Sequence, residues 1–194
     1  MKSKIYLALT SLLLTVQFTY GQGNLIYDQQ SINLIEGSAS YQPFGQSFTP
    51  TLSSVGFIML NLFDSDAFNN NGATIFVNIR SSSITGTILG SSSAIFLPGS
   101  FFGIANFSFS DPIAVNPGTT YYFQPVIQSG DIFSAYVTDG SYLGGTAYNN
   151  GLAWPGHNLW FQEGIIVVPE PSSAWLALLG SGAWLFIRRQ RAIN

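Results

Sequence analysis

A chain of 194 residues has room for one domain of ordinary size and two end segments. Only 8% of the residues are charged, whereas 46% are hydrophobic and 15% aromatic, which excludes a disordered chain and favours a β-rich fold. The chain has no Cys, which excludes disulfides, thiolate metal sites and a Cys nucleophile.

The basic residues lie almost entirely at the two ends of the chain. Between residues 22 and 167, Arg80 is the only Lys or Arg residue, whereas eight residues are Asp or Glu. This region therefore has a net charge of −7. Nucleic-acid binding requires clustered Lys or Arg to neutralise phosphates. We therefore expect no nucleic-acid partner.

The N-terminus has the pattern of a secretion signal. Lys2 and Lys4 precede an apolar run, Ile5 to Val16, and small residues end at Gly21. The run has about 12 residues, whereas a membrane span needs roughly 20. The sequence predicts a signal peptide at residues 1–21, removed by signal peptidase, rather than an N-terminal anchor.

Residues 22–167 have the pattern of one all-β domain. Short β-branched or aromatic runs alternate with turn residues, and no stretch keeps a helical period. The predicted strands are Leu25–Asp28, Phe44–Thr49, Ser54–Phe63, Thr74–Arg80, Ile88–Ile95, Ile104–Ser110, Thr120–Ile127, Ile132–Val137 and Asn158–Val167. Because no internal repeat is present, we expect a single antiparallel β-sandwich of jelly-roll or Greek-key type.

Two strands have informative patterns. Thr74–Arg80 is almost continuously apolar up to Asn78, which predicts a central strand covered on both faces. Residues 105–110 alternate, which predicts one wet face and one that buries either Ala105, Phe107 and Phe109 or the reverse set. A turn at residues 116–119 follows.

The loop at residues 64–72 is rich in oxygen ligands of the kind that calcium binds. Its candidate ligands are Asp64, Asp66, Asn69 and Asn71. The loop lacks the EF-hand spacing and its terminal Glu, and Asx residues with Gly also form ordinary wide turns. The sequence therefore leaves two alternatives for these residues, a calcium-binding site and an ordinary loop.

Residues 142–160 combine aromatic and amide side chains among glycines. An aromatic ring covers the apolar face of a pyranose, while amides bind its hydroxyls. The alternative is that Trp160 and Phe161 belong to the core and that Tyr148 and Trp154 cap the end of the sandwich. The candidate carbohydrate-binding residues are Tyr142, Tyr148, Asn149, Trp154 and His157.

No catalytic constellation is visible. His157 is the only histidine and no Gly-x-Ser-x-Gly motif occurs. Glycoside hydrolysis needs a pair of carboxylates at a defined separation, and the scattered acids do not identify one. We expect a protein that is not an enzyme; a polysaccharide hydrolase dependent on a carboxylate such as Glu163 is the less favoured alternative.

The C-terminus, residues 168–194, has three successive parts. Pro169, Glu170 and Pro171 precede an apolar run, Ala174 to Ile187, and an Arg cluster: Arg188, Arg189 and Arg191. As a helix, these 14 apolar residues extend about 21 Å against roughly 30 Å of hydrocarbon. By the positive-inside rule, the Arg cluster predicts that the C-terminal end of this helix lies in the cytoplasm. The sequence predicts a short transmembrane helix at residues 174–187.

In this order, the three parts resemble the PEP-CTERM sorting signal of bacterial exosortase substrates. The resemblance implies a processing site near Pro-Glu-Pro, recognised by exosortase, and transient anchoring in the inner membrane before release to the cell surface or matrix. It is confined mainly to residues 168–194. The β-sandwich region is similar to the cargo of such proteins in general pattern only.

Together these features predict an exported surface or extracellular-matrix protein with a structural or adhesive role. The alternative is a carbohydrate-binding module that recognises exopolysaccharide. The same C-terminal motif has also been given an ice-binding name. Ice binding is not favoured, because the threonines of this chain are dispersed rather than regularly spaced. Apart from the calcium alternative, we expect no cofactor.

Overall fold

The computed structural model of the chain describes residues 23–66 and 69–168. The predicted signal peptide, the Pro169 to Pro171 motif, the apolar run 174–187 and the Arg cluster lie outside the described residues. Within the described part, no helix is both long and apolar enough to cross a bilayer. Residues Leu25–Ile166 form one compact unit.

The described chain is built from strands joined by turns. Their bounds are β1 Asn24–Ser31, β2 Leu34–Ala39, β3 Gly45–Phe48, β4 Ser54–Asp64, β5 Ala73–Ser81, β6 Ile88–Ser91, β7 Ile95–Leu97, β8 Phe102–Ala114, β9 Tyr121–Gly130, β10 Phe133–Thr138, β11 Ala147–Asn149, β12 Leu152–Trp154, β13 Asn158–Leu159 and β14 Phe161–Val167. The strand pairs whose register is described are antiparallel. The prediction of an all-β, antiparallel domain is confirmed.

The strands form two sheets of seven strands each. The first sheet has the order β1-β14-β4-β10-β13, with β2 beside β10 and β8 beside β4. The second has the order β12-β11-β3-β9-β5-β6, with β7 beside β5. From β3 to β5 and again from β8 to β10, consecutive strands alternate between the sheets. Most pairings therefore join residues far apart in sequence.

One hydrophobic core is shared by the two sheets. It contains Leu60 and Phe107 from the first sheet and Ile75 and Phe123 from the second. The ring of Phe123 lies 5.2 Å from the ring of Phe161 in the first sheet, measured between centroids. Because each sheet buries its apolar face against the other, the two sheets stabilise each other.

Of the two informative patterns, the alternating one gave a correct prediction, and β5 is a central strand as predicted, but its outer face is only partly covered, since Thr74, Phe76 and Arg80 are half-buried. β5 lies between β9 and the β6 and β7 strands, and its outward-pointing Asn78 is only 3% exposed. On β8, Ala105, Phe107 and Phe109 are the buried set. The predicted turn is also present, with Gly118 at a φ of 77°.

Several strand predictions need correction. The strand predicted at residues 88–95 is two strands, β6 and β7, and the one at 158–167 is β13 and β14, separated by a bend at Trp160. β2, β11 and β12 were not predicted. β2 carries a Gly and β11 and β12 have three residues each, so their local patterns are weak and tertiary pairing decides them.

Gly164 of β14 allows β1 to approach closely. A Cβ at this position would lie 1.9 Å from the Ile26 carbonyl oxygen and 3.0 Å from the Tyr27 Cα, both main-chain atoms. We expect Gly164→Ala to lower the free energy of unfolding by about 1–3 kcal/mol, since β1 must shift away from β14. Chemical denaturation measures this change. The partly buried neighbour Gln162, changed to Ala, is the control, and equal losses in both variants would contradict the expectation.

Candidate functional site

Residues 147–154 form a β-hairpin that was not predicted from the sequence. β11 pairs with β12, with Asn149 opposite Leu152, and the two connecting residues have positive φ: Asn150 at 53° and Gly151 at 73°. Positive φ at both positions is typical of a type I′ turn, which suits Asn-Gly. β11 also pairs with β3, so the hairpin extends the second sheet.

Two of the candidate carbohydrate-binding residues hold the fold together. The Tyr142 hydroxyl accepts a hydrogen bond from the Thr49 N–H at 3.0 Å, and its ring packs edge-on against Phe161. Burial is the main reason that the pKa of Tyr142 is raised to about 12. Asn149 Oδ1 accepts a hydrogen bond from the Tyr41 N–H at 3.0 Å.

The other three candidates form two separate pairs of rings. His157 stacks on Trp154, with centroids 4.3 Å apart and planes 25° apart, and Trp154 in turn packs against the core. The Tyr148 ring meets Tyr122 of β9 edge-on at 5.7 Å. The structure thus brings Trp154 and His157 together, whereas the ring partner of Tyr148 is on β9, beyond the intervening strand β3.

The Asx residues of the predicted calcium loop bond mainly to the loop's own main chain and side chains. Asp64 accepts hydrogen bonds from the N–H groups of Asp66 and Ser100, at 2.9 and 2.8 Å. Asn69 donates to Asp66 Oδ2 at 2.9 Å and accepts from the Asn71 N–H at 2.7 Å. Among the described residues, no three His, Cys, Asp or Glu side chains form a metal-binding group. Calcium binding by this loop stays a prediction.

A pair of acidic side chains, which sequence analysis did not identify, joins β1 to β14. Glu163 lies opposite Ile58 of β4 and is fully buried. Its Oε1 accepts a hydrogen bond from the Gln29 N–H at 3.1 Å, while no hydrogen bond is found for its buried Oε2. A buried carboxylate oxygen without a partner is unfavourable, which favours a protonated Glu163.

Asp28 is the charged member of this pair. It accepts hydrogen bonds from the main-chain N–H groups of Thr51 and Leu52, at 2.7 and 2.9 Å, from the Thr51 hydroxyl, and from Gln29 Nε2 at 2.9 Å. Partial burial alone would raise the pKa of Asp28, but these hydrogen bonds lower it below its ordinary value.

The two carboxyl groups therefore differ in charge state: the surroundings of Asp28 favour its charged form, and those of Glu163 favour its neutral form. Burial, followed by the negative charge of Asp28, raises the pKa of Glu163 to about 8. This raised pKa favours a neutral, protonated Glu163 at neutral pH. We call Asp28 and Glu163 the carboxyl pair; it fastens β1 and the Thr51–Leu52 turn to β14.

One signal in the sequence was available for this pair. Phe161 faces the core, so Glu163, two residues later on the same strand, faces inward as well. An inward Glu requires a partner or a proton. Which residue supplies the partner depends on the pairing of β1 with β14, which no local pattern shows.

Comparison with known proteins identifies the C-terminal segment. A family model described as the PEP-CTERM protein-sorting motif matches residues 167–192. No curated protein compared with the chain matches it. The match begins at Val167, the last residue of β14. The motif implies export and processing by exosortase at the membrane. The chain therefore carries a PEP-CTERM protein-sorting motif directly after its β domain.

Proposed function

We propose that this protein is an exported exosortase substrate whose β domain acts outside the cell without catalysing a reaction. Its C-terminal segment anchors it in the inner membrane until exosortase processes it, and the domain then has a structural or adhesive role in an exopolysaccharide matrix or at the cell surface. The observation that carries this proposal is the sorting motif that begins where the last strand ends.

The architecture of the domain supports a jelly-roll assignment. In the first sheet, β1, β14, β4 and β8 are neighbours in this order, and in the second sheet β3, β9, β5 and β6 are neighbours in this order. The core lies between the two sheets. Consecutive strands that alternate between two antiparallel sheets are the mark of this class of sandwich. Folds of this kind serve binding and structural roles as well as catalysis, so the fold is compatible with the proposal and does not by itself specify the role.

The placement of the titratable groups supports a role without catalysis. Glu163 is fully buried, so its carboxyl cannot touch a substrate. His157, the only histidine, stacks on Trp154, and its Nδ1 lies 3.3 Å from the Pro155 carbonyl oxygen.

The sorting step is tested by mass spectrometry of the protein from its native host. In an exosortase-competent strain we expect the mature protein to lack residues 174–194, because cleavage near Pro-Glu-Pro removes them. A strain without exosortase is the control and should retain them. A full-length tail in the competent strain would contradict the proposal.

The alternative role is carbohydrate binding by the β11–β12 hairpin. The Trp154–His157 stack and the Tyr148–Tyr122 pair favour it, because aromatic groups at a sheet edge suit a sugar ring. Polysaccharide binding that is lost in Tyr148→Ala would support this role. Binding that is unchanged in this variant would argue against it.

A further inference from the structure

The strand β1 is attached to the sandwich by little apolar contact. It stands at one end of the strand order of the first sheet, beside β14. Of its eight residues, only Ser31 is buried. Its Tyr27 packs edge-on against Phe57 of β4, at 5.6 Å between ring centroids, yet remains 48% exposed. Because so little apolar surface is removed from water, polar contacts largely decide whether β1 stays attached.

The carboxyl pair supplies the main polar contacts of β1. The Gln29 N–H donates to Glu163 Oε1 at 3.1 Å, so a side chain of β14 holds the middle of the strand. The neighbouring bond from Gln162 Nε2 to Gln30 Oε1, at 2.8 Å, is exposed, and water competes for both of its groups. The contact with the buried Glu163 is therefore the one on which the attachment of β1 depends most.

The surroundings of Glu163 suit a neutral acid and not a carboxylate. Its side chain is fully buried, and no hydrogen bond is found for its buried Oε2. The Gln29 N–H is the donor found for its Oε1. A buried charge needs several donors or a counter-ion, so ionised Glu163 is poorly accommodated while β1 is in place.

The titratable groups that face Glu163 do not neutralise a negative charge. On β1 the neighbour is Asp28, and in the loop before β11 it is Tyr142, whose pKa is raised to about 12 and whose hydroxyl is therefore neutral. Residues 44–63, which include β3 and most of β4, contain no charged side chain. Arg80, the only Lys or Arg between residues 22 and 167, is hydrogen-bonded to β9 of the second sheet. An ionised Glu163 would thus meet repulsion from Asp28 without compensation.

We propose that the carboxyl pair is a pH-sensitive switch: when Glu163 loses its proton, β1 detaches from β14 while the rest of the sandwich stays folded. Detachment lets water solvate the ionised carboxyl and separates it from Asp28. Ser31, the buried last residue of β1, shares a hydrogen bond with Thr138 of β10 and marks the end of the segment that detaches. The inference does not depend on the role proposed for the domain.

The switch also acts on the strand that precedes the sorting motif. β14 ends at Val167, where the match to that motif begins. β14 lies between β1 and β4, so detachment of β1 leaves one edge of β14 without its partner. The protonation of Glu163 therefore decides how firmly the chain ahead of the motif is held.

The switch operates over a defined pH range. While β1 is attached, the pKa of Glu163 is about 8, whereas the solvated carboxyl of a detached strand has the ordinary value of 4.5. The proton favours attachment fully below pH 4.5, and this preference is lost as the pH rises toward 8. Linkage predicts that the detached fraction rises roughly tenfold for each pH unit in this range and levels off above it. Asp28 is charged throughout, because its pKa lies below 3.8.

The test is amide hydrogen exchange of the full chain, purified in mild detergent, at several pH values between 5 and 9. Rates are corrected for the intrinsic, base-catalysed exchange of each amide. We expect the protection of the amides of β1 to fall roughly tenfold per pH unit up to pH 8. Low concentrations of denaturant should barely change exchange in β1, because local opening exposes little surface, but should accelerate it in β9, which opens only on global unfolding.

The variant Glu163→Gln identifies the group that titrates. The amide carries no charge at any of these pH values, so the protection of β1 should no longer change with pH. The matched control is Asp111→Asn, which removes an exposed carboxyl of β8 and should leave the pH dependence of β1 intact. The comparison of β1 with β9 in the unchanged chain needs no variant, so it tests the proposal even where a substitution disturbs folding.

Three results would overturn the proposal. The first is that the protection of β1 does not change between pH 5 and 8. The second is that β1 and β9 exchange at the same rate and with the same dependence on denaturant, which would mean that the whole domain opens at once. The third is that Glu163→Gln retains the pH dependence of β1, which would assign the effect to another group.

Discussion

Raising the pH from 5 to 8 is expected to destabilise the protein, and replacing Glu163 by Gln is expected to abolish most of this loss. The pKa of Glu163 is about 8 in the folded protein and 4.5 as its ordinary value, so the folded state binds the proton more tightly. The stabilisation is fully present below about pH 4.5 and declines as the pH rises toward 8. Its size is on the order of a few kcal/mol.

Asp28 acts in the opposite direction at lower pH. Its pKa lies below the ordinary 3.8, so the stability that it contributes is present above this value and is lost on further acidification. The carboxyl pair therefore predicts maximal stability near pH 4 to 5. Denaturant midpoints measured at several pH values between 3 and 9 test this profile.

The Glu163→Gln variant should have a nearly flat profile between pH 5 and 8. The amide has no ionisable proton and, like the protonated acid, carries no charge. We expect this variant to exceed the unchanged protein in stability at pH 8 and above. Asp111→Asn, which removes an exposed carboxyl of β8, is the control and should retain the decline. Parallel declines in the unchanged protein and in Glu163→Gln would show that the carboxyl pair is not the cause.

Phe161→Ala is expected to lower the free energy of unfolding by roughly 3–5 kcal/mol. Phe161 is fully buried, and its ring contacts Phe123 of the opposite sheet and the edge of Tyr142, each at 5.2 Å between centroids. Its removal opens a cavity at the point where the two sheets meet. Because the chain has no Cys, no disulfide compensates for this loss of packing.

Thermal unfolding measures this effect, and the melting temperature should fall by roughly 10 °C or more. The control is Phe96→Ala, because Phe96 is 67% exposed and its removal creates no cavity. We expect this control to unfold within a few degrees of the unchanged protein. A similar loss in both variants would mean that the contact between the sheets is not the main source of stability.

The β class and the outline of the fold follow from local patterns. β8 was correctly predicted because strict alternation is a consequence of burial on one face, and β5 was correctly predicted as a central strand, although its outer face is only partly covered. The hairpin at residues 147–154 was missed, although Asn150-Gly151 is a typical type I′ turn, because its strands are three residues long and carry no clear alternation. Such short strands form because they pair with a strand already in the sheet, and here β11 pairs with β3.

The candidate sites were harder to predict from the sequence than the strands. Aromatic and amide residues near positions 142–160 suggested a sugar site from proximity in sequence, yet Tyr142 and Asn149 form hydrogen bonds to Thr49 and Tyr41. Rings that are far apart in the chain also meet: Tyr136 contacts both Phe63 and Phe102. Only strand register places them side by side.

By itself, the sequence determined the composition-dependent properties of this protein: an all-β domain, an acidic central region and a C-terminal sorting motif, each encoded within a contiguous stretch. The tertiary structure alone decided that Asp28 lies near Glu163 and that the rings of Phe63, Phe102 and Tyr136 meet. The physical reason is that a strand's side chains alternate between its faces, while pairing with distant strands decides which faces and which neighbours meet.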